Sequence, residues 1–201
     1  MLSLLANSLP STVEVGGISI PIETDWRTWL KVWQVRESSK KDASKKTIAI
    51  LYLVYTDPTA LATASRNIEE ALERAMSFLD RSLGNTLPPR PETRRERALR
   101  GKRLFDWSYD SSRIISDFER EYSIDLTNPS TKMHGWRFMT LFNGLSDTSS
   151  TMEAISVRAA DLDAKGMSKE QKQYLRERKA AVMLPARNRE EAAQNRELRG
   201  C

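Results

Sequence analysis

Bulky apolar residues recur at three- and four-residue intervals along most of this chain, and this spacing is typical of amphipathic helices. The first such stripe carries Trp26, Trp29 and Trp33. Thr24 has a side chain that suits a helix N-cap, and the carboxylate of Asp25 suits the positively polarised start of a helix. The pattern therefore predicts a helix from Asp25 with one aromatic face.

The aromatic face of Trp26, Trp29 and Trp33 has two interpretations. An apolar stripe on a helix usually packs onto the core of its own domain, and we favour this interpretation. Alternatively, the three indole rings form the wall of an exposed groove that receives a partner helix. We therefore treat the three tryptophans as candidate partner-binding residues. The variant Trp33→Ala separates the interpretations, because loss of folding rather than of binding indicates a core position.

Two other patterns shape the first half of the chain. Residues 13–22 alternate between apolar and polar side chains around Gly16 and Gly17, which predicts a β-hairpin with a two-residue turn. Residues 47–55 are apolar nearly all round, which predicts a buried central helix. The Asp-Pro pair at 57–58 is expected to end that helix, because the residue before a proline avoids the α conformation.

Further helices are predicted wherever an N-cap side chain precedes an apolar stripe. Their expected starts are Asn67 with Glu70, Asp110, Ser130 or Thr131, Thr148, and Ser168 with Gln171, the first and last pairs having capping-box spacing. Gly144 is expected to end the helix that begins near residue 130. The chain is therefore expected to be mainly α, a helical domain of about six helices with a small N-terminal β-hairpin.

Composition separates two segments from this helical domain. Residues 86–103 are rich in proline and arginine, so they are expected to form a basic linker rather than a regular helix. Residues 186–201 contain four arginines, three glutamates and only Leu198 as a bulky apolar side chain, which predicts a charged, disordered tail. The remaining pattern predicts a single domain over residues 1–185.

The positive charge of the chain is concentrated in the linker. The net charge is +5, and residues 88–103 contain seven basic and two acidic side chains, so the rest is close to neutral. The segment is either a solvated linker, an arm that meets an acidic or helical protein partner, or a nucleic-acid contact. Nucleic acid ranks last, because the segment has no aromatic side chain to stack on bases. Arg94, Arg95 and Arg97 are the candidate partner-binding arginines.

The sequence offers little material for catalysis or for metal binding. It has one histidine, His134, and one cysteine, Cys201, so it has neither a disulfide within the chain nor a recognisable zinc-ligand spacing. We expect His134 to be hydrogen-bonded within the domain. No phosphate-binding or dinucleotide-binding glycine motif is present in the sequence. We therefore expect no catalytic residue, no cofactor and no metal.

Several motifs in a fixed order carry a family resemblance. They are Phe105-Asp106-Trp107-Ser108-Tyr109-Asp110, Tyr122-Ser123-Ile124-Asp125-Leu126, His134-Gly135-Trp136-Arg137-Phe138 and Leu141-Phe142-Asn143-Gly144-Leu145, together with Thr24-Asp25-Trp26-Arg27-Thr28-Trp29 before them and Arg158-Ala159-Ala160-Asp161-Leu162 after them. In this order they resemble the bacteriophage gene-product-fifteen family, whose members are similar to tail assembly chaperones of long-tailed phages. About two thirds of the chain takes part in the resemblance.

The resemblance implies a role in tail assembly without catalysis. A member of such a family would bind the tape measure protein, aid assembly of the tail tube protein around it, act in the host cytoplasm and be absent from the mature virion. The alternative is a structural tail or connector component of the virion. We expect no membrane partner, because the longest apolar run, residues 48–55, is too short to cross a bilayer, and we find no secretory signal. A homo-oligomer is a further possible assembly, and the sequence does not decide whether it forms.

Overall fold

The computed structural model describes residues 8–38, 42–82 and 103–199. Two strands and nine helices lie within these residues: β1 (Thr12–Val15), β2 (Ile18–Pro21), α1 (Trp26–Glu37), α2 (Ala43–Val54), α3 (Pro58–Arg66), α4 (Ile68–Ser82), α5 (Ser111–Tyr122), α6 (Gly135–Asn143), α7 (Ser150–Ala159), α8 (Lys169–Val182) and α9 (Arg189–Arg199). The predicted mainly α class with an N-terminal hairpin is confirmed. No helix among the described residues is both long and apolar enough to span a membrane.

The chain divides into two compact units. Residues 1–89 and 129–144 form the first, which contains β1, β2, α1–α4 and α6 and is called the hairpin unit below. Residues 90–128 and 145–201 form the second, called the C-terminal unit, which contains α5 and α7–α9. The single domain suggested for residues 1–185 stays a prediction, and most of the suggested linker lies outside the described residues.

The β-hairpin forms where the sequence pattern predicts it. β1 and β2 are antiparallel, with Val15 opposite Ile18 on either side of the turn. Gly16 and Gly17 both have positive φ, +60° and +72°, which residues with a Cβ rarely adopt and which a tight two-residue turn requires. Val15 and Ile20 are buried, and the hairpin packs against α3 and α4.

The core of the hairpin unit lies among α1, α2, α4 and α6. Its fully buried side chains include Val32 of α1, Val54 and Tyr55 at the end of α2, and Ala71 and Ala75 of α4. Small residues on α4 allow the close approach of its neighbours, and the hydroxyl of Tyr55 donates to the Ala71 carbonyl at 2.8 Å. This core fixes where the exposed faces of α2 and α4 lie.

The starts of α1 and α6 are joined by backbone hydrogen bonds. The Trp26 amide donates to the Met133 carbonyl at 3.0 Å, and the Gly135 amide donates to the Thr24 carbonyl at 2.7 Å. The N-caps are therefore Asp25 and His134. The predictions of Thr24 as the first cap and of a helix start at residue 130 or 131 were wrong, because this pairing holds both segments extended for longer.

The starts of α3 and α4 also differ from the sequence predictions. Asp57 caps α3, with Pro58 at its first position, so the Asp-Pro pair that was expected only to end a helix also begins one. The capping box suggested for Asn67 and Glu70 was wrong. The side-chain amide of Asn67 donates to the Thr63 carbonyl at 3.0 Å, and Glu70 accepts from a backbone amide of the hairpin turn.

The C-terminal unit packs α5, α7, α8 and α9 around a smaller core, which includes Ile114, Phe118, Ala154, Val157, Met183 and Leu184. The predicted capping box of Ser168 and Gln171 is confirmed at the start of α8. Residues 189–199, predicted to be a disordered tail, instead form α9. Polar contacts account for this helix: Glu191 pairs with Arg103 at 3.1 Å, and the Asn195 amide donates to the Leu184 carbonyl at 2.9 Å.

Candidate partner-binding surfaces

Two of the three candidate tryptophans lie in the core of the hairpin unit. The ring of Trp26 stacks on Phe138 with 4.6 Å between centroids, and that of Trp29 stacks on Phe78 at 4.7 Å. The indole N–H of Trp29 also donates to the Glu23 carbonyl at 2.8 Å. Both side chains are buried, which leaves their rings little surface for a partner. A partner-binding role for them stays a prediction, and the core interpretation accounts for their positions.

Trp33 is the candidate tryptophan that is only half-buried. The guanidinium of Arg36 lies over its ring, 4.2 Å from the centroid, and pairs with Asp80 at 3.3 Å. The guanidinium therefore covers one face of the ring. The candidate arginines Arg94, Arg95 and Arg97 lie outside the described residues, so their role also stays a prediction.

His134 has a structural role within the hairpin unit. The Trp136 amide donates to Nδ1 at 3.1 Å, and Nε2 lies 2.8 Å from the Pro10 carbonyl oxygen. Because that carbonyl can only accept, Nε2 carries the proton in this arrangement. The predicted internal hydrogen bonding of His134 is confirmed, and it fastens the segment before β1 to the start of α6.

The depression beside His134 carries charges of both signs. It has a volume of about 520 Å³ and is open to solvent, with Glu23 and Asp25 facing Arg27, Lys31 and Lys132 among its lining residues. The side chains of Glu23 and Asp25 already accept backbone amides at the start of α1. The arrangement is that of a helix start with surrounding surface charges rather than of a convergent ligand site.

Within residues 8–38, 42–82 and 103–199, no three His, Cys, Asp or Glu side chains are grouped so that they could hold a metal ion. Cys201 lies outside the described residues, and the expected lack of a cofactor stays a prediction. Asp110 is at the N-cap position of α5 but makes no side-chain capping bond, contrary to expectation, because its carboxylate pairs with Arg158.

Asp117 is a buried carboxylate that the sequence analysis missed. It accepts hydrogen bonds from the amides of Ser150 and Thr151 at 3.0 and 2.8 Å, and so joins α5 to the start of α7. Burial alone would raise the pKa of Asp117, but the bonds from Thr151 and Ser150 hold it below its usual value. The available signal was its position directly before Phe118, on the apolar side of α5.

The outward side of α2 is apolar, although it faces solvent. Ile48 is 55% exposed and Tyr52 is 65% exposed, while Leu51 and Val54 on the inward side are buried. Lys45, Ile48 and Tyr52 are spaced three and four residues apart and therefore share one side of the helix; they are called the α2 outer face below. The predicted buried central helix over residues 47–55 is therefore buried on its inward side only, and the prediction was wrong for Ile48 and Tyr52.

The hairpin turn is fixed to α4 near the start of that helix. The Gly16 amide donates to a carboxylate oxygen of Glu70 at 2.9 Å, which fixes the turn to α4. Elsewhere in the hairpin unit, Ile18 of β2 is 57% exposed and Ile68 at the start of α4 is 47% exposed. Glu69 and Glu73, one turn apart on α4, are also exposed.

The sequence model of a protein family, described as bacteriophage Gp15 protein, matches residues 5–184. The match covers nearly nine tenths of the chain and includes residues of both units. This chain belongs to the bacteriophage Gp15 protein family. The resemblance seen in the ordered aromatic motifs is thereby confirmed.

The Gp15 match includes the α2 outer face, whereas α9 lies beyond its last residue. No curated protein and no solved structure matches the chain significantly.

Proposed function

We propose that this Gp15 protein is a phage tail assembly chaperone. It binds the tape measure protein, keeps that long helical protein soluble, and yields to tail tube subunits as the tube grows. Membership of the family supports this proposal, together with the resemblance of its motifs to tail assembly chaperones. On this proposal the protein acts without catalysis in the host cytoplasm and is absent from the mature virion.

The observation that carries the proposal is the apolar α2 outer face. A helix on the surface of a folded unit usually shows polar side chains to solvent, and clustered apolar exposure marks interaction sites. Ile48 and Tyr52, one turn apart, offer the spacing with which one amphipathic helix contacts another. We place the contact with the tape measure protein on this face, because Trp26 and Trp29 are engaged in the core.

A co-expression experiment tests the proposal. The full chain and the tape measure protein of the same genome are produced together, and soluble tape measure protein and its recovery by affinity pull-down are measured. We expect a soluble complex only when both proteins are present. The variant Ile48→Ser/Tyr52→Ser should lose most of the complex, whereas Tyr174→Ser, which removes an exposed aromatic ring from α8, should retain it.

The alternative function is a structural component of the tail or connector. Purified particles distinguish the two, since a structural component remains in them and a chaperone does not. Detection of this chain in particles by mass spectrometry, combined with an insoluble tape measure protein in the co-expression, would overturn the chaperone proposal. A soluble complex that survives Ile48→Ser/Tyr52→Ser would keep the function and reject the α2 outer face as its site.

A further inference from the structure

An open groove lies between the end of α8 and α9 in the C-terminal unit, and it has a volume of about 630 Å³. Its lining includes Ala180 of α8, Ala192 of α9 and Tyr109, which precedes α5. The alanines are small, so the two helices leave space where larger side chains would make close contact. The ring of Tyr109 is 41% exposed and is therefore accessible to a ligand. This space is called the α8–α9 groove below.

The segment that connects α8 to α9 is fixed before any ligand binds. Met183 and Leu184 of this segment line the groove and are themselves buried. The Leu184 carbonyl accepts from the side-chain amide of Asn195 at 2.9 Å, and the carbonyl of Val182, the last residue of α8, accepts from Arg158 at 2.6 Å. A surface that is already ordered loses less conformational entropy when it binds a ligand.

Arg196 supplies the charge of the α8–α9 groove. Of the described lining residues it alone is charged, and its side chain is exposed. Within the part of the chain that the structure describes, its guanidinium has neither an ion pair nor a hydrogen bond. By contrast, Arg103 pairs with Glu191 at 3.1 Å and Arg187 pairs with Asp106 at 2.7 Å, so both already have carboxylate partners. Arg196 is therefore available to an anionic group of a ligand.

The acidic side chains nearest to the groove in sequence lie outside its lining. Glu177 of α8 precedes the lining residues and accepts from the side-chain amide of Gln173 at 2.8 Å. Glu197 follows Arg196 directly, and successive residues of a helix do not face the same side. The groove thus combines apolar walls with one positive charge, which complements a ligand that is both apolar and anionic.

We propose that the α8–α9 groove binds a peptide segment of another protein, in which a bulky apolar side chain is followed by a carboxylate. The apolar side chain packs against Tyr109 and the alanines, and the carboxylate pairs with Arg196. Nucleic acid fits less well, because it takes several cations and several stacking rings, whereas the described lining offers one of each. The inference does not rest on the proposed function, whose contact lies on the α2 outer face of the hairpin unit.

The contact is expected to be weak. One apolar anchor and one solvent-accessible charge pair exceed the cost of association only slightly, so we expect dissociation constants between about 0.1 and 1 mM. The charge pair is screened by salt, so added salt should weaken the binding.

Titration of the isotope-labelled full chain with short synthetic peptides, followed by NMR chemical shifts, tests the proposal. Four probes carry a central leucine, methionine, phenylalanine or tryptophan followed by two glutamates, in a background of glycine and serine. At least one should shift the amide signals of Ala180, Ala192 and Arg196 to saturation. A probe with glycine in place of the apolar residue should bind about tenfold more weakly, because it has no side chain to bury.

Variants with matched controls locate the binding site. Tyr109→Ala and Arg196→Glu should each raise the dissociation constant about tenfold, and Ala192→Leu, which narrows the groove, should raise it similarly. Tyr109→Phe retains the ring and should bind like the wild type. The controls are Tyr174→Ala, an exposed tyrosine of α8 outside the groove lining, and Lys165→Glu, an exposed lysine before α8, and both should leave the affinity unchanged.

Reversed charges give the sharpest comparison. A probe with two lysines in place of the glutamates should bind Arg196→Glu more tightly than it binds the wild type, because opposite charges again meet. Circular dichroism and thermal unfolding establish that every variant compared is folded.

Four results would overturn the proposal. The first is that none of the four probes shifts the amides of the groove at concentrations up to about 5 mM, which exceeds the expected dissociation constants. The second is equal binding of the glycine probe, since the attraction would then be ionic alone. The third is an affinity that does not depend on the charge at residue 196. The fourth is a single-stranded oligonucleotide that binds at the groove more tightly than every peptide, which would assign the surface to nucleic acid.

Discussion

Arg158 and Asp110 form a buried, two-pronged ion pair within the C-terminal unit. The two terminal guanidinium nitrogens of Arg158 lie 2.8 and 2.7 Å from the two carboxylate oxygens of Asp110. The side chains of Arg158 and Asp110 are 6% and 1% exposed. Arg158 also donates to the carbonyls of Leu104 and Val182 at 3.0 and 2.6 Å. One residue of α7 thus holds the segment that precedes α5 and the last residue of α8.

Removal of the arginine should destabilise the C-terminal unit strongly. Arg158→Ala leaves the carboxylate of Asp110 buried without its main partner, so we expect a loss of about 3–5 kcal/mol in the free energy of unfolding. Arg113 provides the control, because it pairs with the same carboxylate at 3.1 Å from a more exposed position. Arg113→Ala should cost about 1 kcal/mol or less. Urea unfolding followed by circular dichroism measures both, and equal losses would contradict the special position of Arg158.

Asp117 should make the stability of the C-terminal unit sensitive to acid. Its pKa in the folded state is lowered, so its contribution is present above the unfolded pKa, near 3.8, and is lost as pH falls through the folded pKa. Asp117→Asn should cost about 1–3 kcal/mol at pH 7, because an amide cannot replace all the bonds of the carboxylate. The difference from the wild type should shrink towards pH 2.

The control for Asp117 is the exposed carboxylate of Asp163. Asp163→Asn should leave the free energy of unfolding nearly unchanged at either pH, since surface pairs contribute little. Urea unfolding at several pH values gives the comparison. A constant difference between the wild type and Asp117→Asn from pH 7 to pH 2 would show that ionisation of Asp117 does not stabilise the fold.

Local chemistry explains which elements could be predicted from the sequence. The glycine pair of the hairpin and the capping box at Ser168 act within a few residues, so the sequence displays them completely. α3 was missed because the Asp-Pro pair at 57–58 serves both as a stop and as a capped start. α9 was missed because the contact that holds it, between Arg103 and Glu191, joins residues 88 positions apart.

The candidate partner-binding surfaces likewise depend on contacts between residues that are distant in the sequence. Apolar spacing correctly placed Trp26 and Trp29 on one helix and favoured a core position, but it did not exclude a docking groove. Residues 47–55 are apolar nearly all round, so the sequence does not indicate which side of this stretch the neighbouring helices cover. Only the packing of α1, α3 and α4 against α2 leaves Ile48 and Tyr52 exposed.

Tyr55 should make the hairpin unit sensitive to alkali. Burial raises the pKa of Tyr55 to about 12, from an ordinary value of 10. Because the folded pKa is raised, the contribution is fully present below pH 10 and is lost as pH rises towards 12, up to about 2–3 kcal/mol. Tyr55→Phe has no hydroxyl to ionise, so its stability should not fall in this way as pH rises. It also lacks the hydrogen bond to the Ala71 carbonyl, which should lower its free energy of unfolding by about 1 kcal/mol at pH 8.

The wild type should therefore be more stable than Tyr55→Phe at pH 8, and the difference should close or reverse near pH 11.5. Tyr52→Phe is the matched control, since Tyr52 is exposed on α2, the helix that Tyr55 caps, and its substitution should change the free energy of unfolding little. Urea unfolding at both pH values tests this expectation. A difference that grows with pH would mean that the Tyr55 hydroxyl is not buried in the neutral form.

The hairpin turn permits a comparison of two neighbouring glycines. A Cβ at Gly17 would meet open space, whereas a Cβ at Gly16 would lie 2.9 Å from the side-chain amide nitrogen, Nδ2, of Asn67. Gly17→Ala should therefore cost only the penalty of a left-handed conformation, about 1–2 kcal/mol. Gly16→Ala should cost about 1 kcal/mol more, because Asn67 must move and give up its bond to Thr63.

The role of Asn67 in this cost can be isolated by a double-mutant cycle. In the background of Asn67→Ala, the close approach no longer exists, so the cost of Gly16→Ala should fall to that of Gly17→Ala. Tryptophan fluorescence is a suitable probe of urea unfolding, because Trp26, Trp29, Trp33 and Trp136 belong to the hairpin unit. If Gly16→Ala lowers the free energy of unfolding equally with and without the Asn67 side chain, the backbone conformation of residue 16 alone sets the loss. The contact between residue 16 and Asn67 then contributes nothing to it.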